Sequence, residues 1–173
     1  MGNITKPQKA KLFIGIILKN ESLYESLARQ LCLKFGRIDF ESSYLNFNYT
    51  DHYEGEMGVN LKRKFISFEN LILPDKIAKI KNITNKIESR FRKNRKRQIN
   101  LDPGYLNDAK IILATTKNYS HRIYLKNGIY AEVTLSFLKN TFTANPWAYP
   151  DYQSNDYIAI FNQMRQIFMR KQK

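Results

Sequence analysis

The chain has 173 residues, with 29 Lys and Arg against 15 Asp and Glu and a formal charge of +14; that length suits a single domain spanning residues 1–173, large enough to bury about 70% of its unfolded surface without a staple. One cysteine, Cys32, excludes an internal disulfide and reads as a buried core thiol of a reducing compartment. No apolar run approaches the ~20 residues of a membrane span and no hydrophobic signal region opens the chain, so a cytoplasmic protein without membrane association is expected.

Lys11–Leu18 is a nearly continuous apolar run, the mark of a strand buried on both faces. Asn20 or Ser22 can cap the helix that follows, whose stripe is Leu23, Leu27, Leu31 and Phe35 and whose end is Gly36. Arg37–Tyr49 alternates as a strand, Thr50–Gly58 is a polar segment, and Leu61–Leu73 is a further strand. Pro74 opens a second helix with Ile77, Ile80, Thr84, Ile87 and Phe91 on one side and Lys81, Asn85 and Glu88 on an adjacent stripe. The basic run Arg90, Arg92, Lys93, Arg95, Lys96 and Arg97 follows as a solvated helix end and loop. Asp102-Pro103-Gly104 reads as a turn, with Asp102 closing an Asx-turn and Gly104 supplying positive φ. Lys110–Lys117, His121–Leu125 and Ile129–Phe137 are strands, and Ser154 caps a last helix with the stripe Tyr157, Phe161, Met164 and Phe168. The order βαββαβ, then a hairpin and a helix, predicts an α+β protein: an elaborated ferredoxin-like sandwich with a mostly antiparallel sheet.

The hairpin's register follows from its side chains. A two-residue Asn127-Gly128 turn would mix apolar and charged residues on both faces. A three-residue loop, Lys126-Asn127-Gly128, with Gly128 left-handed, puts Ile123, Leu125, Ile129, Ala131, Val133 and Leu135 on one apolar face. Arg122 then opposes Glu132 and Tyr124 opposes Tyr130. That polar face is either a solvated surface with an ion pair or a binding floor, with Arg122 as anion clamp and the tyrosines as stacking platform.

Several blocks together resemble a known family: Asp51–Gly58 (DHYEGEMG), Asn100–Leu106 (NLDPGYL), Ala114–Lys117, His121–Leu125, Gly128–Leu135 and Pro146–Tyr152 (PWAYPDY). In that order, and over nearly the whole chain, they are similar to the bacterial domain-of-unknown-function 4416 family. His52 stands where the family tends to have Tyr, and Ala148 where it tends to have Thr. The resemblance implies no established activity and carries over no catalytic residue. A GTP-binding label attached to some members finds no support in the residues, since GxxxxGK[ST] is absent.

The blocks hold a mixed acid–base set. Glu56, His121 and Glu132 are the candidate catalytic groups; Lys117, Arg122, Tyr124, Tyr130 and Asp102 are candidates for ligand binding. Arg90, Arg92, Lys93, Arg95, Lys96 and Arg97 are candidates for nucleic-acid contact. Two histidines and one cysteine make no transition-metal ligand spacing, and the residues do not identify a cofactor. Three functions are compatible with these residues. The first is a domain binding an anionic, phosphate-bearing ligand, nucleotide or RNA. The second is a small phosphate-handling acid/base or Mg²⁺-dependent enzyme, which convergence of three or more carboxylates in one pocket would favour. The third is a protein-interaction module with a basic face. The charge itself favours an anionic partner, although a chain this rich in Ile, Asn, Lys, Tyr and Phe also fits AT-rich codons. The expectation placed first is the phosphate-bearing ligand, with Glu56, Asp102, Lys117, Arg122 and Glu132 sharing one cavity and Arg122→Ala abolishing binding while sparing the fold.

Overall fold

In β1 (Ala10–Leu18) all nine residues are buried, as an unbroken apolar run requires of a strand covered on both faces. The computed structural model describes residues 2–172. Leu12, Ile14, Ile16 and Leu18 face α1 (Tyr24–Phe35) and α3 (Ile77–Arg90), while Phe13 packs toward α4 (Asn155–Arg170) on the opposite side. The remaining elements are β2 (Ile38–Glu41), β3 (Leu45–Phe47), α2 (Glu54–Met57), β4 (Leu61–Ile72), β5 (Ile99–Leu106), β6 (Lys110–Thr115), β7 (Ile123–Lys126), β8 (Ile129–Leu138) and β9 (Thr141–Ala144). The sheet runs β2-β4-β1-β5-β6-β8-β7, with β3 also on β4 and β9 on β8. Its first four strands, joined as β1-α1-β2-β4-α3-β5, are the split βαβ arrangement of a ferredoxin-like sandwich. The hairpin strands extend that sheet at the β5 edge, and α4 closes its second face through Tyr157, Phe161, Met164 and Phe168. The cap is as expected, Ser154 Oγ accepting from the Tyr157 N–H.

Two local expectations are corrected and one segment is filled in. Arg37–Tyr49 is two short strands, because Ser42 interrupts the ladder: its N–H donates to the Phe65 carbonyl, and its Oγ takes the Phe65 N–H at 2.9 Å. Thr50–Gly58 is ordered as a 3-10 turn capped by Thr50, then α2, ending at Gly58 with φ 81°. Asp102-Pro103-Gly104 is no turn but the middle of β5, with Asp102, Pro103 and Gly104 opposite Gly15, Ile14 and Phe13. Pairing with β6 begins only at Gly104, which leaves room for a proline without a donor. Gly104 is needed for close approach, since a Cβ there would stand 2.4 Å from the Phe13 ring and 2.5 Å from the Ile112 carbonyl oxygen.

The hairpin has the expected register by a different device. Ile123 opposes Ala131 and Tyr124 opposes Tyr130, but the turn is the two-residue Asn127-Gly128, with φ 54° and 74°. Leu125 is an extra residue between Tyr124 and Lys126, a bulge that restores the parity a regular two-residue hairpin would invert. Burial departs from the expectation in part, although Ile129 and Leu135 are buried as expected. Arg122, Glu132 and Thr134 are buried, whereas Ile123 on the edge strand is exposed.

Candidate functional site

A cavity of about 840 Å³ opens where α2, α3, β4, β5, β6 and the Tyr149–Tyr152 segment meet. Its floor is Arg63, which projects from β4 and is 2% exposed. The space for its guanidinium exists because position 15 is glycine: a Cβ there would lie 2.9 Å from Nη1. Nη1 donates to Asp102 Oδ2 at 3.1 Å and Nη2 to Asp151 Oδ2 at 3.0 Å, while the rings of Phe47 and Phe65 flank the cation. Nε and the neighbouring Tyr152 hydroxyl are buried with no partner among the described residues.

One arginine thus grips two carboxylates whose affinities for a proton move apart. Burial opposes ionisation of Asp102, but the charges of Lys81 and Arg63 outweigh it and hold the carboxyl below the usual range. At Asp151 burial prevails over the Arg63 charge, and the nearby Asp102 adds to the upward shift. The stripe Lys81, Asn85 and Glu88 of α3 forms a wall of the cavity. Lys81 Nζ donates to the Leu101 carbonyl at 2.7 Å, and Glu88 accepts the Leu101 N–H at 2.7 Å. Burial raises Glu88 despite the Lys81 charge.

A second buried group lies at the hairpin. Arg122 donates from Nε to Glu132 at 2.6 Å, from Nη1 to the Lys117 carbonyl at 3.1 Å and from Nη2 to the Tyr149 hydroxyl at 2.8 Å. Its guanidinium also sits 4.6 Å from the Tyr119 ring centre. Three of the five guanidinium N–H groups are therefore engaged. Glu132 is fully held, receiving His121 Nε2 at 3.1 Å and the Thr134 hydroxyl at 3.2 Å besides Arg122. Removing Arg122 would strand a buried carboxylate, so the arginine is structural as well as a potential anion contact.

The candidates named from the sequence are thus partly gathered. Glu56, Asp102, Lys117, Arg122 and Glu132 line the one cavity, together with Arg92 and Arg97. Glu56 is paired with Arg97 at 2.6 Å, and Arg97 also donates to Asn100 at 3.2 Å. His121 touches Glu132 but is not in the cavity wall; it stacks on Trp147 with ring centres 5.8 Å apart. Tyr124 lies at a separate shallow depression with Leu125, Lys126 and Ala131, and Tyr130 is in neither wall, so the tyrosine platform is not part of the cavity. Tyr119 and Tyr149 supply the aromatic surface instead. Arg90, Lys93, Arg95 and Lys96 are exposed outside the cavity, and the loop that carries the last three is a tight turn.

The sequence alone does not single out Arg63, Lys81, Asn100 or Tyr119 as site residues, whereas Tyr149 and Asp151 belong to the Pro146–Tyr152 block. Two signals were present. Gly15 interrupts an apolar strand, and Arg63 alternates with Leu61 and Phe65 on the inward side of β4. An arginine at such a position calls for buried carboxylates.

Among the described residues no helix is long and apolar enough to cross a membrane. No curated protein and no solved structure matches the chain. A family model does match residues 8–168, and on that match the chain belongs to the family described as Domain of unknown function (DUF4416).

Proposed function

We propose that the cavity binds a phosphate-bearing ligand of nucleotide size. The observation that carries this reading is the pattern of unspent cationic capacity. Arg92 and Lys117 both line the cavity, and neither meets a carboxylate among the described residues. Arg122 has two N–H groups left, and Tyr119 and Tyr149 beside it offer partly exposed rings. A volume of about 840 Å³ suits a mononucleotide. Cations answer the phosphate and the tyrosine rings answer a base.

A second reading, acid/base catalysis, is favoured by the five carboxylates that line the same cavity: Glu56, Glu88, Asp102, Glu132 and Asp151. Each is engaged, four by arginine and Glu88 by a backbone N–H. Binding therefore stands first. Asp151, displaced toward the protonated form beside an ionised Asp102, is the group an enzyme would use.

The test is titration calorimetry with inorganic phosphate, AMP, ATP and GTP. At least one nucleotide should bind. Arg92→Gln with Lys117→Gln should weaken it at least about tenfold, since hydrogen bonds to charged groups contribute about 1.5–3 kcal/mol each. Both side chains are exposed, so the melting temperature of the free variant should not fall. No binding by any probe, or binding indifferent to both substitutions, overturns the reading.

A further inference from the structure

The link between α3 and β5 is built at a cost that its exposure does not explain. Lys93 and Lys96 exchange backbone hydrogen bonds, each 3.0 Å, around Asn94 and Arg95, which are both left-handed at φ 51° and 62°. Two other turns in the chain pair left-handed residues, Asn127-Gly128 and Lys139-Asn140; a long side chain stands at the first position of the latter, but the second positions are Gly128 and Asn140. Those are residue types that tolerate positive φ; arginine is not one. The paired positions flanking the tip are both lysine, and like charges directly opposite one another are destabilising. Strain and repulsion are thus concentrated at one exposed cationic tip. Arg92 and Arg97, which bracket that tip in sequence, both line the cavity.

The second observation is aromatic. Tyr119, His121 and Trp147 form a partly exposed stack, with ring centres 6.1 and 5.8 Å apart and interplanar angles of 29° and 14°. Tyr119 also lines the cavity, so the stack continues out from its wall. Cations that can follow a phosphate backbone and stacked rings for bases, both connected to one cavity through Arg92, Arg97 and Tyr119, are the two parts of a single-strand site.

We propose that the ligand is single-stranded nucleic acid, one nucleotide entering the cavity while neighbouring phosphates lie along the Lys93–Lys96 turn. This rests on the cavity reading above and names its substrate class. A strand rather than a duplex is required, because a base paired in a helix cannot enter a cavity without being extruded. A partner that offered phosphate alone would leave the stack unused.

The experiment is fluorescence anisotropy with labelled twelve-nucleotide oligo(U) and oligo(dT), using AMP as the mononucleotide probe. The full chain is compared with a Lys93→Gln, Arg95→Gly, Lys96→Gln variant, in which Arg95→Gly also relieves the backbone. The oligonucleotide should bind at least tenfold more tightly than AMP. The variant should lose about tenfold for the oligonucleotide, and the slope of log K against log salt should flatten by roughly 0.7 per lost phosphate contact. Its affinity for AMP should be unchanged. Oligo(U) and oligo(dT) differ in both the 2′-hydroxyl and the C5 methyl, and preference for either supports the proposal. AMP bound as tightly as the oligonucleotide, or a variant indistinguishable from the parent, overturns this inference alone. An oligonucleotide that binds while AMP does not, and ignores Arg92→Gln with Lys117→Gln, overturns the cavity reading and this inference with it.

Discussion

At the scale of single residues, Arg122 shows how burial changes what a side chain can be asked to do. Read from sequence, it was a clamp whose removal would abolish binding and leave the fold intact. In the structure its guanidinium is the partner of Glu132, and both side chains are almost wholly buried. Arg122→Ala should therefore destabilise the protein by about 3–5 kcal/mol, the scale for breaking a buried pair from one side. Adding Glu132→Leu should recover much of that loss, because it removes the stranded charge. Urea unfolding of both variants tests this; equal stability of the single and double variants would show that Glu132 finds water or another donor. The pairing was legible because it is cross-strand and local. Arg63 was not, because its two carboxylates come from β5 and the Tyr149–Tyr152 segment, 39 and 88 residues away.

Among the elements, those fixed by periodicity were readable and those fixed by a single interrupting residue were not. The apolar run of β1 and the stripes of α3 and α4 correspond to burial almost position by position. The Asp102-Pro103-Gly104 triplet looked like a turn because its residue types favour one locally. Tertiary pairing with β1 overrode that preference, and Gly104 serves close packing where positive φ was expected. The hairpin is subtler still. Its register was inferred from side-chain segregation, but the bulge at Leu125, not a longer loop, produces it. This makes an unusual prediction. Deleting Leu125 should leave Tyr124 opposite Tyr130 and Arg122 beside Glu132, because only the surplus residue is lost. The side chain is exposed, so the cost should stay within about 1 kcal/mol. A fall of several kcal/mol, or loss of the Arg122–Glu132 coupling in a double-mutant cycle, would place the determinant of register in the turn.

For the molecule as a whole, counting elements leads to the α+β, mostly antiparallel class but puts Lys110–Lys117 in the place beside β1 that β5 takes, and it does not reveal the cavity, whose wall draws on residues from Phe47 to Tyr152. The charge of +14 is the remaining global term. Excess surface charge destabilises a compact state by self-repulsion. Salt screens exposed charges, with a Debye length of about 10 Å at 0.1 M and 3 Å at 1 M, but acts less on buried pairs such as Lys11–Asp39 and Arg63–Asp151. The melting temperature should therefore rise with sodium chloride; a fall would mean that surface pairs outweigh the repulsion. Sodium phosphate at equal ionic strength should raise it further, for two separable reasons. Phosphate strengthens apolar burial through exclusion from the surface, in any protein. A bound phosphate adds stability by mass action, about 2.7 kcal/mol at a concentration of 100 Kd. At roughly 2–4 °C per kcal/mol for a domain of this size, that amounts to about 5–10 °C. The exclusion effect is shared by the Arg92→Gln, Lys117→Gln variant, and the binding effect is not. The excess of phosphate over chloride should therefore shrink in the variant, and an identical excess in both proteins would assign it to exclusion and remove phosphate from the cavity.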